Sequence, residues 1–566
     1  MRSHSILPVG IWPFALFLTA LLGVPLIILA LSSFWWSEFF VISRDLTLGN
    51  YTRLLEESVF LKLVGRSIGI GLLVSAITVP VAFVMAYAIR FYFRRHSNLL
   101  LVLVMVSMLS SYLVRIYAWK SILGVNGVVN QLLLSIGAID APLGFLLYGD
   151  FAVVITLVHI LLPFSVLPIY ASLQDVDDSL IEAARDLGST SARSVFQVAL
   201  PMARPGLVAA FLFSLILASA DYVTPQLVGG RNGIMVGRAI ADQFGMAGNP
   251  PFGAALSLVL ILGFAIVIGI SVLVATLTGP LYWRVISLGQ GRRRARGKAG
   301  DRSLRRVFRG LTVLALVFLF FPLVIVVLFS FNASPSGIFP IESFSLRWYR
   351  ELFASPAFLK AAKSSLVVAA LSVSLTLVLG VPAAFVLARR DFLAKPLMLA
   401  LTLGPIATPG IVIGTSLLAS LGMVGMHGGL FPTVLAHVLF TLPFVVMVTR
   451  ARLASFDWEL EDAGRDLGLR PVKIFFKVTL PIIAPAMIGA GILVAALSID
   501  EFIITNFVIG ANTTLPVYIW GQMRTGITPS VNAVATVILF ASIALMAIAA
   551  WVSGTRTAVS GLAGRN

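Results

Sequence analysis

Apolar runs long enough to cross a ~30 Å hydrocarbon layer recur along this chain, separated by short polar stretches. They fall near 11–34, 62–89, 99–119, 151–171, 206–228 and 253–279. A second set falls near 311–331, 365–388, 397–421, 431–449, 486–509 and 531–553. Most are about twice the ~10 residues that a membrane strand needs, so they suit helices. The pattern predicts an all-α integral membrane protein with twelve transmembrane helices, six in each half. A second pattern lies over the first: residues 162–205 match residues 442–485 without a gap, with 18 identities in 44 positions. The chain is therefore expected to divide into a first unit at 1–280, a linker at 281–310 and a second unit at 311–566.

Composition agrees. Of 566 residues, 59% are hydrophobic and 11% charged, and mean hydropathy is +1.00; soluble domains carry about 25% charged residues. The net charge of +17 raises the question of nucleic acid, but the Lys and Arg residues sit between apolar runs. That is how membrane loops facing anionic lipid are built. Cysteine is absent, which excludes disulfides and thiolate metal sites. Histidine is scarce and lacks metal-ligand spacing. The N-terminal stretch 1–33 has a basic start and an apolar core of about 21 residues, long for a signal peptide, so it is expected to stay as the first helix.

Charge also sets orientation. The linker carries Arg284, Arg292, Arg293, Arg294, Arg296, Lys298, Arg302, Arg305, Arg306 and Arg309, which marks its side as cytoplasmic. Arg90, Arg94 and Arg95 after the second run, and Arg389, Arg390 and Lys395 after its counterpart, land on the same side. So do both termini and the polar islands at 172–205 and 452–485. The loops at 35–61, 120–150, 229–252, 332–364 and 510–530 land outside. An even number of spans per half makes the two six-helix repeats parallel rather than inverted.

Within each island, apolar residues recur at helical spacing: Leu180, Ala183, Ala184 and Leu187, then Leu460, Ala463, Gly464 and Leu467. Ser179 with Glu182 reads as a capping box, and Asp457 as an N-cap. Gly188 and Gly468 stand where a left-handed residue would end each helix. A helix resting on the bilayer would want larger apolar residues; the small ones suit close packing in a protein groove.

These residues resemble the EAA loop of ABC-importer permeases. Glu182, Ala183 and Ala184 are followed by Gly188, nine intervening residues, Val198, then Leu200 and Pro201. The second copy has Asp462, Ala463, Gly464, Gly468, Val478, Leu480 and Pro481. Both depart from the family pattern at its isoleucine, and the second also at the Glu and one Ala. Other stretches resemble permeases of the spermidine/putrescine type: LVRIYAW at 113–119, DYVTPQLVGG at 221–230, FSLRWY at 344–349, TPGIVIG at 408–414 and Asp500, Glu501 and Phe502. The resemblance implies a type I importer fold with two permease units fused in one chain of the bacterial inner membrane. It implies coupling helices at Glu182, Ala183, Ala184 and Gly188 and at Asp462, Ala463, Gly464 and Gly468. The implied partners are two copies of a cytoplasmic ATP-binding subunit, a periplasmic or lipid-anchored solute-binding protein, membrane lipid and a small solute, with no nucleic acid. The solute would be a polyamine or related organic amine; ferric iron or thiamine, or an ion-coupled carrier, are the alternatives. The chain has no G-x4-G-K-[ST] sequence, so ATP and Mg are expected to act on the partner ATPase, with no cofactor or catalysis here.

Charged residues inside apolar runs complete the candidates. Arg115, Asp221, Asp500 and Glu501 lie near the outer ends of spans three and five. A charge at mid-membrane costs on the order of 3 kcal/mol, so such groups face a pathway or a partner. An Arg115–Asp221 ion pair fixing helix packing and an acidic cavity for a cationic solute are both open. His159 and His437 read as hydrogen-bonded packing residues, and Pro405 and Pro409 as a kink.

Overall fold

The computed structural model describes residues 8–544 except 39–40, 109, 232, 289–298, 335–340, 342 and 526–528. Both chain termini, the middle of the basic linker and the end of the last expected span lie outside those residues. Eight described helices are long and apolar enough to cross a membrane, and up to eleven if each of three bent pairs counts as one span. Of the twelfth expected span, the described part is the apolar helix Pro529–Ala544. Besides helices, the loop after the first span forms a two-stranded antiparallel hairpin, Trp36–Glu38 with Val41–Ser43.

Two compact units form, and their membership differs from the division at 1–280, 281–310 and 311–566. One contains Met1–Ser32 with Leu346–Asn566; the other is Ser33–Ser345. Each half of the sequence gives its first span to the other group. The reason is packing. Phe14, Leu18 and Leu22 of the N-terminal helix are buried in one cluster with Ala384, Leu387, Ile413 and Leu417. Ala315 and Leu319 of the helix Ala299–Ser330 are buried with Tyr87, Val166 and Ile169.

Where helices cross, small residues let backbones approach, as is usual in lipid. A Cβ on Gly206 would lie 2.3 Å from the Pro168 carbonyl oxygen. Several buried hydroxyls bond within their own helix, as with Ser165 Oγ donating to Leu161 O at 3.0 Å and Thr415 Oγ1 donating to Ile411 O at 2.8 Å. His159 packs against Trp119 and Phe318, with Nε2 3.1 Å from Leu319 O.

The expected third spans are not straight. Lys395–Ala407 and Gly410–Met423 meet at 100°, and Arg94–Met108 and Tyr112–Ser135 at 85°. The first break follows from Pro409: it forces Thr408 extended, at φ −92° and ψ 129°, while its carbonyl starts the next helix by accepting from Val412 N–H. Pro405 lies inside the preceding helix.

The helix exchange is testable by truncation of packing. Replacing Phe14, Leu18 and Leu22 with alanine removes contacts that each contribute about 2–5 kcal/mol in a soluble core. Limited proteolysis in detergent is expected to cut earlier within 346–525 and unchanged within 33–345; earlier cutting within 33–345 instead would contradict the grouping.

Candidate coupling helices and buried carboxylates

Each island folds into a short helix, Asp178–Asp186 in the first copy and Glu459–Asp466 in the second. Their starts are matched. Asp177 Oδ1 accepts from Ser179 N–H at 3.0 Å, and Asp457 Oδ1 from Glu459 N–H at 3.0 Å. The cap of the first helix is therefore Asp177 and not the expected Ser179: an aspartate two residues earlier reaches the free amide first. That amide holds the Asp177 carboxyl below its ordinary range. The cap is accordingly complete above a pH of about 4 and is lost as pH falls through the lowered value.

The ends are matched too. Gly188 and Gly468 adopt φ of +86° and +75°. Ser189 N–H returns to Ala184 O at 2.9 Å and Gly188 N–H to Arg185 O at 2.8 Å; Leu469 and Gly468 repeat both bonds to Gly464 and Arg465. This is a Schellman closure, which favours glycine at the left-handed position. The chain then continues through a helical turn with an i→i−5 bond, Leu200 N–H to Val195 O and Leu480 N–H to Phe475 O. The wider turn stands directly before Pro201 and Pro481, whose missing N–H interrupts the ordinary ladder.

The expected apolar stripe faces away from the protein. Leu180 and Leu460 are 43% and 44% exposed, and Leu187 and Leu467 are 90% and 81% exposed. Glu182, Ala183, Asp462 and Ala463 are exposed with them, whereas Ala184 is half-buried and Gly464 buried. A leucine left in water forgoes on the order of 2 kcal/mol of burial, so two matched faces of this kind suit a partner.

The inward faces differ, and this the sequence reading missed. Ile181 is 5% exposed and belongs to the apolar cluster that holds Tyr87 and Ala199. The position 280 residues on is Glu461, also 5% exposed. Its Oε2 takes Arg389 Nη1 at 2.6 Å, and its Oε1 takes the Thr479 hydroxyl at 2.7 Å. Aligning Val79-Pro80 with Val381-Pro382 places Arg389 opposite Tyr87, and Thr479 aligns with Ala199. One apolar contact set has thus become a polar one at three places together. Ala184 and Ser194 likewise become Gly464 and Ile474, where a Cβ on Gly464 would meet Ile474 Cγ1 at 3.3 Å. The first island is tied down instead by Asp178, 2.9 Å from Arg94 and 3.5 Å from Arg90. Comparing the copies position by position, rather than each with a motif, carries the signal.

The four charged candidates do not come together as one group. Asp221 and Glu501 occupy the same position of the two copies, at the ends of the helices Arg204–Ala220 and Leu480–Asp500. Asp221 Oδ1 accepts from Val223 N–H at 2.9 Å, from Thr224 N–H at 3.3 Å and from the Tyr112 hydroxyl at 2.6 Å. Glu501 accepts from Ile504 N–H and Thr505 N–H, both at 2.8 Å. Each carboxylate caps the chain where its fifth span breaks. Arg115 is buried and its Nη1 donates to Ile160 O at 3.3 Å; among the described residues, Asp221 is held by Tyr112, Thr224 and backbone rather than by Arg115. Asp500 is half-buried. His437 bridges Ser498 and Thr505, each at 2.7 Å, next to Glu501.

Glu461 gives a direct test. Glu461→Ala leaves Arg389 and Thr479 without their acceptor and is expected to cost about 2 kcal/mol, read as a lower melting midpoint in detergent. Arg389→Tyr, Glu461→Ile and Thr479→Ala together copy the first island and are expected to recover most of that loss; no recovery would mean the two fastenings are not equivalent.

A family model described as the inner membrane component of binding-protein-dependent transport systems matches residues 5–279 and 376–555. The spermidine/putrescine transport system permease protein PotC of Haemophilus influenzae is 34% identical over 232 residues, 41% of this chain and 90% of that protein. The putrescine transport system permease protein PotI of Escherichia coli is 36% identical over 247 residues, 42% of this chain and 87% of that protein. PotB of H. influenzae, another spermidine/putrescine permease, is 34% identical over 237 residues, 42% of this chain and 79% of that protein. Among solved structures, a chain of the MetNI methionine ABC transporter is similar at 18% identity and a TM-score of 0.31, over 35% of this chain and 96% of that one. A chain of a bacterial alginate importer is similar at 17% identity and 0.35, over 45% and 96%. The chain belongs to the binding-protein-dependent inner membrane family, and with one matched region in each half it is a fused pair of permease units.

Proposed function

We propose that this permease is the membrane channel of an ATP-driven polyamine importer and carries both of the docking helices that such a machine needs. Membership of the family makes it an importer subunit of the bacterial inner membrane, working with an ATPase and a solute-binding protein. Polyamine as the solute rests on the names of its relatives, which are spermidine and putrescine permeases. The observation that carries the docking role is the pair of outward apolar faces at Leu180, Ala183 and Leu187 and at Leu460, Ala463 and Leu467, held by matched aspartate caps and glycine closures.

In this reading each island helix seats in one of two ATPase subunits, with both islands and both chain termini in the cytoplasm. Ala184 and Gly464 lie on the inward side of those helices and Gly188 and Gly468 close them, while Glu182 and Asp462 stand exposed on them for the ATPase to meet. Hydrolysis belongs to the ATPase, since the chain carries no phosphate-loop sequence, and capture of the solute belongs to a separate binding protein. Asp221 and Glu501 set the break in each fifth span, and the half-buried Asp500 is, with Arg115, the remaining candidate for the solute pathway. The ancestral units are 1–280 and 311–566, joined by the basic linker 281–310.

Gly188→Asp and Gly468→Asp test this. A side chain at positive φ costs about 1–2 kcal/mol, on the order of tenfold in a docking equilibrium. Putrescine uptake by cells expressing the whole system is expected to fall by about that factor for each variant and to vanish for the pair, with membrane insertion unchanged. The two single losses should be unequal, because the inward fastenings differ. Normal uptake by the double variant would overturn the docking role; uptake of another solute with no putrescine uptake would overturn the substrate alone.

A further inference from the structure

A cavity of ≈ 510 Å³ opens behind the first island helix, on the side away from its exposed leucines. At roughly 100° per residue, Asp178, Ile181, Glu182 and Arg185 share the face that lines it, whereas Leu180, Ala183 and Leu187 point the opposite way. The cavity is therefore distinct from the docking surface. Three elements meet there: the island helix, the end of the second span at Arg94, Arg95 and His96, and the start of the helix Ala299–Ser330 at Arg305 and Arg309.

Its charge is one-sided. Five arginines line it, Arg94, Arg95, Arg185, Arg305 and Arg309, against two carboxylates, Asp178 and Glu182. Asp178 is already engaged by Arg94 and Arg90. Two of the arginines are fixed in place. Arg309 donates to Tyr92 O at 2.6 Å and lies 5.2 Å from the Phe93 ring centroid, and Arg305 lies 5.5 Å from that of Tyr92. Cation–π contact and a backbone acceptor hold a guanidinium without neutralising it. The floor is apolar and aromatic, with Tyr87, Phe91 and Ile181 buried.

The second copy has no such arrangement. Asp178 becomes Trp458 in the island alignment. The turn Arg94–His96 stands just before the helix Ser97–Met108, and the residues at the same place before Lys395–Ala407 are Phe392, Leu393 and Ala394, none of them charged. Trp458 stacks against Phe456 and Phe385 at 4.8 and 6.1 Å, with Arg389 4.7 Å from its ring. What is an open basic cavity in one copy is occupied by an indole in the other, so the cavity is not a by-product of the shared island design.

The geometry points to a binding site for a phosphate group in this cavity, on the membrane face that carries the islands. Convergent guanidinium groups match the oxygens of a phosphate mono- or diester, and the volume lies within the range of small-molecule sites. A bound phosphate would join the island helix to the second span and to the helix after the linker, restraining the island while its outward face stays free. The same chemistry is offered by an anionic lipid headgroup and by a soluble phosphate.

The whole chain, reconstituted in phosphatidylcholine nanodiscs, separates the two. Phosphatidylglycerol replaces part of the lipid in one arm, and inorganic phosphate is added to the buffer in the other. The melting midpoint is expected to rise in one arm or both, and the arm that responds names the source. Arg95→Gln with Arg305→Gln, both exposed side chains, should weaken the response at least about tenfold in probe concentration and melt as the parent does without probe. Arg390→Gln, an exposed cation on the other copy, should leave it unchanged. If the double variant melts differently without probe, Arg95→Gln alone is judged by the same criterion. No response in either arm, or an equal response in parent and variant, overturns the site.

Discussion

No backbone amide can stay unpaired in hydrocarbon, and a permease must nonetheless break its helices there to make a path. The two carboxylates Asp221 and Glu501 reconcile these demands. They stand at one aligned position, yet they are different residues, and the bonding shows why both work. The shorter aspartate reaches the amides two and three residues on, and the longer glutamate those three and four residues on. Around each, hydroxyls complete the shell: Tyr112 and Thr224 in one copy, Thr505 in the other. A charge that would be costly in the apolar run is thereby given donors on several sides. The same economy governs the membrane surface, where Asp177 and Asp457 open the island helices and Gly188 and Gly468 close them.

The copies agree where they face outward and differ where they face inward. Leucines at 180 and 187 recur at 460 and 467, as do the caps and closing glycines. Underneath, Tyr87, Ile181 and Ala199 give way to Arg389, Glu461 and Thr479, a change that works only as a set. Glutamate against tyrosine and alanine would be a buried carboxylate without a balancing cation, and isoleucine at 461 would leave the Arg389 guanidinium and the Thr479 hydroxyl without their acceptor. Two distinct units permit this divergence where two identical ones would not, because each contact set lies wholly within its own unit.

Much of this was legible in the sequence. Long apolar runs give helices, the repeat gives two units, and helical spacing with a terminal glycine gives the islands, since each depends on local or strictly periodic information. The exchange of first spans was not legible: Phe14 and Leu319 are ordinary apolar residues of a membrane helix, and nothing local says which half they pack against. The breaks of the third spans were half visible through Pro409. The partnership of Glu461 with Arg389 was hidden because it joins residues 72 apart and replaces a contact that carries no charge signal at all. Asp221 and Glu501 stood out as charges in apolar runs, but their role as caps depends on a break that hydropathy does not show.

The difference in fastening bears on how motion would travel. In the first copy the helix Ser191–Met202 meets Arg204–Ala220 at 72°, whereas in the second Pro471–Asp500 runs as one helix of 30 residues. Displacement of the second island would pass through a continuous rod to the break at Glu501. Displacement of the first meets a corner near Ala203 before reaching Asp221. The first island is also tied to the end of the second span through a half-buried Asp178, half-buried Arg90 and exposed Arg94, a contact that solvent and salt screen. The second is tied through Glu461, buried at its end of the pair although Arg389 is exposed, so screening there is weaker. A machine with these two connections would transmit a symmetric closure of its motor asymmetrically, leading at Glu501 and lagging at Asp221. Raised ionic strength should loosen the first connection more than the second.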